Sequence, residues 1–210
     1  MRKIYIRALH IAVIALIITC APALAANNAE LDKLIEKQKE IRSLSADFVQ
    51  EKHSEMLAEP MISKGKFYYM SPSKVAWIYP EEAEVISNGT ELLIHYPQIK
   101  EAEIIPLKES LLSLPLNFNI DELKKFFNVD IESSKERHKV TLVPIDNTSM
   151  FSRMLITFKV SGEPLLVEIF EKGGDKSTIK FNRHKTNENI KDRIFDPKLP
   201  EGTEIRRSVK

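Results

Sequence analysis

The sequence predicts a mainly β protein with a few helices, its strands ordered as an antiparallel meander. Three observations carry this. Short segments of alternating apolar and polar residues recur from residue 46 to residue 181. Turn signals separate them, among them Asn88-Gly89, Ser161-Gly162-Glu163 and Gly173-Gly174-Asp175. One stripe at helical spacing precedes the strands, and no internal repeat or long linker marks a second domain. A chain of 210 residues fits one core of ordinary size.

Composition narrows the function classes. The hydrophobic fraction of 43% is too high for a disordered chain. Lys and Arg number 31 against 30 Asp and Glu, which argues against a basic nucleic-acid binder. The single cysteine, Cys20, rules out an internal disulfide framework and a multi-cysteine zinc site.

Residues 1–25 read as a secretory signal peptide. Arg2, Lys3 and Arg7 form the basic region, Ile11 to Ile18 the apolar core, and Ala23-Leu24-Ala25 an A-x-A cleavage site. The apolar run is shorter than the ~20 residues of a membrane span. Lipidation of Cys20 is the rival reading, but Thr19 stands where a small Ala or Gly is expected. Without the three basic residues of this segment the chain has 28 Lys and Arg against 30 Asp and Glu. Residues 26–210 then form one cysteine-free domain that relies on its core and hydrogen bonds.

The first element is expected to be a helix over residues 27–44. Leu31, Leu34, Ile35, Gln38, Ile41 and Leu44 supply its stripe, Asn27 with Glu30 a capping box, and Lys33, Glu36, Lys37, Lys39 and Glu40 its wet face. Strands follow. Ala46, Phe48 and Gln50 alternate with polar neighbours, residues 61–70 and 75–79 continue the pattern, and Asn88-Gly89 joins Val85-Ile86 to residues 91–96. Residues 101–106 add a strand closed by Pro106.

Residues 107–128 are the most apolar stretch after the signal segment. Leu107, Leu111, Leu112, Leu114, Leu116, Phe118, Leu123, Phe126 and Phe127 fall there, broken by Pro115, with Asn119 and Glu122 placed to cap a short helix ending near Phe127. This predicts a helical insertion able to cover a sheet. Strands resume at 129–133, 138–143, 153–160, 164–171 and 176–181. The tail from Lys185 is polar, with Ile190, Ile194, Phe195 and Leu199 as anchors. Pro197 and Pro200 argue against a central strand there.

The sequence holds little catalytic vocabulary. His10, His53, His95, His138 and His184 form no close ligand pair, so no metal site is expected. No nucleophile elbow, P-loop or dinucleotide signature appears, and no cofactor is implied. The pairs Asp130/Glu132 and Glu101/Glu103 alternate as solvated strand faces do. Gly65 marks a bend or close approach within a strand. Trp77 reads equally as a core residue or a ligand contact. Residues 53–59 form a hairpin loop with Met56-Leu57 at its tip, either a membrane or partner contact or a plain mobile loop. Lys172, Lys176, Lys180, Arg183, His184 and Lys185 make a mild basic region without the interleaved aromatics of a nucleic-acid platform.

Several ordered pieces together resemble the periplasmic outer-membrane lipoprotein carrier family, the LolA-like proteins. They are Phe48-Val49-Gln50, Gly65 to Tyr69, Ser71 to Tyr79, Val85 to Tyr96, and Asn187 to Ile190 followed by Phe195, Pro200 and Gly202. The resemblance implies an unclosed, curved antiparallel β-barrel covered by a helical lid, with an apolar interior that receives lipoprotein acyl chains. It implies a monomer in the periplasm of a Gram-negative bacterium, working between an inner-membrane ABC exporter and an outer-membrane acceptor. On this basis Leu34, Ile41, Leu44, Phe48, Phe67, Tyr69, Trp77 and Tyr79 are the expected lipid-binding residues. Leu111, Leu112, Leu114 and Phe118 are assigned to the lid or insertion. One departure matters. Ser71 stands where the family often carries an Arg that helps hold the lid closed, and serine lacks that reach and its five donors. Lys74 lies nearby.

The expected function is a non-enzymatic carrier of acylated lipoproteins or of another lipid. A cell-envelope interaction module on the same fold is the alternative, and a lipid hydrolase a weaker third. A continuous apolar cavity favours a carrier. Bulky side chains filling the concavity favour the module.

Overall fold

The structure is a computed structural model that describes residues 21–107 and 118–208. Among them α1 (Ala21–Lys39) leads into β1 (Ser43–His53), β2 (Met61–Met70), β3 (Lys74–Tyr79), β4 (Ala83–Ser87), β5 (Glu91–Tyr96) and β6 (Glu101–Pro106). A short α2 (Ile120–Leu123) precedes β7 (Phe127–Ser133), β8 (Arg137–Pro144), β9 (Phe151–Lys159), β10 (Pro164–Glu171) and β11 (Lys176–Thr186). A 3-10 turn at Asp192–Ile194 and β12 (Glu204–Arg207) complete the described chain.

All twelve strands belong to one sheet, in the order β12-β6-β5-β4-β3-β2-β1-β11-β10-β9-β8-β7. Every neighbouring pair is antiparallel except β12 with β6. β7 and β12 lie at opposite edges, so the curved sheet stays unclosed, as expected. β1 is the long central strand, paired with β2 on one side and β11 on the other. Hydrophobic alternation gives the sheet two faces. The inner face, with Leu31, Leu34 and Ile35 of α1 laid over it, forms the main core. On the outer face Ala76 and Ile86 are covered by Phe195, with Ile190 and Ile194 beside it. The apolar anchors of the tail do hold it down, and Lys74 ties it further through Asp192 at 2.7 Å.

Several boundaries differ from the sequence expectation. The helix ends at Lys39, not at residue 44, and its backbone already turns before Asn27, so Asn27 is not its cap. The cause is competition from the sheet. Asn187 donates from Nδ2 to Glu40 O at 3.2 Å and accepts from Arg42 N–H at 2.7 Å, while Arg42 O accepts from Ser71 N–H at 2.9 Å. These bonds draw the chain into β1, which claims Leu44. Phe127 opens β7 instead of closing a helix, because it pairs with Pro144. β11 runs on to Thr186 because β1 offers partners along that whole length. The tail adds β12, an edge strand, beyond the two prolines. Asn119 does cap α2, accepting from Asp121 N–H at 3.0 Å and Glu122 N–H at 3.4 Å, whereas Glu122 bonds Lys125. The Asn88-Gly89 hairpin forms as read, with Gly89 at φ 98°.

Gly65 is a close approach and has no positive φ. A Cβ there would meet the Ile78 carbonyl oxygen and sit 2.5 Å from Phe48 Cζ, because the Phe48 ring lies over the bare backbone of its cross-strand partner. Gly65→Ala should therefore lower stability by about 1–3 kcal/mol through overpacking, read as a reduced urea midpoint at unchanged slope. An unchanged midpoint would show that both the Phe48 ring and the Ile78 carbonyl can give way.

Candidate functional site

The concave face gathers aromatic side chains from four strands. Phe48 (β1) faces Phe181 (β11), and Phe67 (β2) faces Trp77 (β3) in the strand register. Period-two alternation then puts all four on one side. Ring centroids lie 5.1 Å apart for Phe48–Trp77, 4.8 Å for Phe67–Trp77 and 5.7 Å for Phe67–Phe181. Tilted and edge contacts of this kind suit the ring quadrupoles and add about 0.5–1.5 kcal/mol per pair beyond area burial. Phe48 and Phe67 are each 1% exposed and Trp77 7%.

Phe118 completes the nest from outside the sheet. It closes the insertion, and its ring sits 5.4 Å from Phe67, 5.8 Å from Trp77 and 5.5 Å from Phe181. Tyr79 flanks the nest at 4.9 Å from Phe48 and donates its hydroxyl to Gln50 Oε1 at 2.7 Å. Burial, with Glu82 adding to it, pushes the Tyr79 phenol up to about 12. Burial also raises the Tyr69 phenol, and a hydrogen bond with Ser71 partly offsets the rise. Both tyrosines are thus neutral walls across the physiological range.

Beside this nest, at the C-terminal end of α1, a gap of about 40 Å³ remains. Ile41, Leu44, Phe67, Tyr69, Phe118 and Pro164 give it apolar walls, and Gln38 and Asn119 add polar groups. Space of this size takes a few waters and no acyl chain. Gly162 lets the β9–β10 turn approach α1: at its φ of 98° a Cβ would lie 3.2 Å from Gln38 N. Pro164 O accepts a hydrogen bond from His184 Nε2–H at 2.6 Å, so this turn is held from both sides.

The structure brings most of the expected site residues together. Leu34, Ile41, Leu44, Phe48, Phe67, Trp77 and Phe118 share one buried cluster, and Tyr69 and Tyr79 pack against it. Ile41 and Leu44 reach it from the connector and β1, not from a helix. Leu111, Leu112 and Leu114 lie outside the described residues. Two members escape the sequence reading. Phe181 reads there only as part of a strand, and Gln38 only as a member of the stripe. A signal for Gln38 is present, since it is the one polar side chain on that stripe.

Other sequence features resolve without chemistry. Ser71 is exposed and bonds Tyr69, while Lys74 is engaged by Asp192. His95 is buried against Glu84 at 3.0 Å. Lys176, Arg183 and Lys185 pair with Glu168, Asp47 and Glu188, which makes the basic region an ion-paired strand surface. Met56, at the β1–β2 tip, is 92% exposed. Among the described residues no cluster of acidic, His and Cys groups could hold a metal, and no helix is long and apolar enough to cross a membrane.

A family model described as the outer membrane lipoprotein carrier protein LolA matches residues 39–198. The chain belongs to the LolA family. It is 28% identical over 179 residues to the outer-membrane lipoprotein carrier protein of Francisella tularensis subsp. tularensis (strain WY96-3418), covering 82% of this chain and 85% of that one. The protein of that description from Dechloromonas aromatica (strain RCB) is 25% identical over 187 residues, covering 87% and 89%. In fold alone the chain is similar to an uncharacterized conserved protein from Thermus thermophilus, with a TM-score of 0.55, 12% identity, and 86% and 98% of the two chains covered. LolA-family membership makes this a periplasmic lipoprotein carrier of non-catalytic type.

His184 gives this region a pH signature. Burial holds its imidazole below the ordinary value of about 6.5, and nearby Lys159 adds to this, against the opposing bond to Pro164. Below pH about 6.5 the unfolded chain takes up this proton and the folded chain does not, so stability falls with pH until the folded group also titrates. The difference in urea midpoint between the wild type and His184→Gln should shrink as pH drops from 7.5 through this window. A difference independent of pH would remove His184 as its source.

Proposed function

We propose that this LolA-family protein carries acylated lipoproteins through the periplasm, sheltering their acyl chains on the aromatic concave face beneath α1 and Phe118. The observation that supports this most is the coincidence of two things. The family match spans 39–198, and within that span the inner face presents Phe48, Phe67, Trp77 and Phe181 with Tyr69 and Tyr79 at its margin. Such a surface suits a methylene chain, which contributes about 0.8 kcal/mol per buried CH₂. Residues 1–25 would direct export and be removed, and an inner-membrane ABC exporter and an outer-membrane acceptor would be the partners at either end of the route.

The same observations give the mechanism its form. The described interior is packed with rings, and the gap beside the nest is about 40 Å³. Cargo therefore has to displace side chains, and loading is a rearrangement driven by differential affinity, without nucleotide or covalent chemistry on this chain. The packed interior is also the one feature that favours the alternative, an envelope interaction module with a solid core.

Binding separates the two. Protein purified from the periplasm after expression of the full chain should retain an acylated lipoprotein detectable by mass spectrometry. It should pass a fatty-acylated lipopeptide to outer-membrane vesicles bearing a lipoprotein acceptor. Failure to bind any acylated ligand while circular dichroism shows an intact β fold would overturn the carrier reading in favour of the module.

A further inference from the structure

Gln38 is half-buried in the last turn of α1, between the apolar positions Leu34 and Ile41 of its stripe. Its amide carries one donor group and one acceptor, and the same short segment uses both. Nε2–H donates to Phe118 O at 2.8 Å, and Oε1 accepts from Ile120 N–H at 3.1 Å. Ile120 opens α2, so its N–H is one of the first-turn amides that a helix cannot satisfy internally. The side chain thus reads the insertion's backbone as a neighbouring strand would. Between these two bonds the Phe118 ring enters the aromatic nest. Gly162 comes close to the Gln38 backbone, where a Cβ would lie 3.2 Å from Gln38 N. The family resemblance leads one to expect an arginine holding the insertion. Here Ser71 bonds Tyr69 and Arg42 instead.

We propose that the Gln38 amide is the latch that keeps Phe118 seated as a plug in the aromatic nest, and that an acyl chain enters when the latch lets go. This deepens the carrier reading and rests on it for the identity of the ligand. Gln38 acts through Phe118 and is a positioning residue. Two neutral hydrogen bonds hold the plug, so the latch is weak enough to open reversibly.

Trp77, the chain's single tryptophan, reports the plug, because Phe118 packs against it. Gln38→Glu keeps the shape but turns an acceptor toward Phe118 O, and Gln38→Met keeps the bulk and removes both bonds. Both should raise acrylamide quenching of Trp77 and speed association of a dansyl-labelled fatty acid. The unlatched population should be roughly tenfold larger for Gln38→Met, which loses both bonds, with a smaller rise for Gln38→Glu, which keeps the acceptor for Ile120 N–H. Lys37→Ala, whose side chain pairs with exposed Glu40, should match the wild type. The unmutated protein gives a second measurement by hydrogen exchange. The Ile120 amide should exchange slowly when free and quickly once the fatty acid saturates the protein. An Ile120 amide still protected in the saturated complex would overturn the proposal, as would folded Gln38 variants with wild-type quenching and association rate. If the variants expose Trp77 yet neither they nor the wild type bind the fatty acid or a fatty-acylated lipopeptide, the latch stands and the carrier reading falls.

Discussion

The contact on which the interior depends is the ring of Phe48 lying on the bare backbone of Gly65. β1 is the hub of the sheet, with β2 and β11 on either side, so a ring projecting from its middle can touch rings from both flanks. Phe48 meets Trp77 and Tyr79 on one side and Phe181 on the other. It reaches them only because its partner at 65 has no side chain. A Cβ there would lift the ring and collide with the Ile78 carbonyl. The nest, the seat for Phe118 and the cover provided by α1 are all built outward from that one absence.

Much of this was legible in the sequence, and the exceptions have physical causes. Period-two alternation and turn chemistry are local, so the strands, the Asn88-Gly89 hairpin, the Asn119 cap and the apolar anchors of the tail could be read directly. The end of α1 could not. Ile41 and Leu44 continue a helical stripe, and only the remote Asn187, 145 residues from Arg42, shows where the helix must yield to β1. β12 was hidden for a related reason. Its sequence is polar, and it forms because β6 offers an unpaired edge. Within the aromatic nest the residues of β1–β3 were legible because strand parity and a recognisable family pattern agree. Phe181 was not, because the register between β1 and β11 is a long-range fact. Gln38 was not, because a polar residue on an apolar stripe reads as noise until its partners, 80 and 82 residues away, are known.

A packed interior alters the energetics expected of a carrier. If the concave face were an open, wet cavity, each methylene entering it would gain the full transfer energy. In the carrier function proposed above, an acyl chain displaces protein that already occupies the nest, so part of the gain is offset by ring contacts given up, such as those of Phe118 with Phe67, Trp77 and Phe181. The net affinity per methylene is thereby lower than the about 0.8 kcal/mol of simple burial. For a carrier this is useful, since cargo that binds with all available apolar energy does not leave. When cargo departs, the plug returns and the aromatic face is not left exposed to water and to aggregation.

The chemistry of the latch then decides how that balance is set. A guanidinium in this role would hold backbone carbonyls through charge-assisted bonds, roughly twice as strong as neutral ones, but it has no acceptor to offer a free N–H. The Gln38 amide is weaker and matches both kinds of backbone group at once, satisfying a carbonyl at 118 and a helix-opening N–H at 120. Its energy is also insensitive to salt and to pH, because neither partner carries charge. A closed state resting on ring packing and one neutral amide responds chiefly to a single variable, the presence of a competing apolar chain. That fits a protein whose cargo must trigger both the opening and, by leaving, the closing.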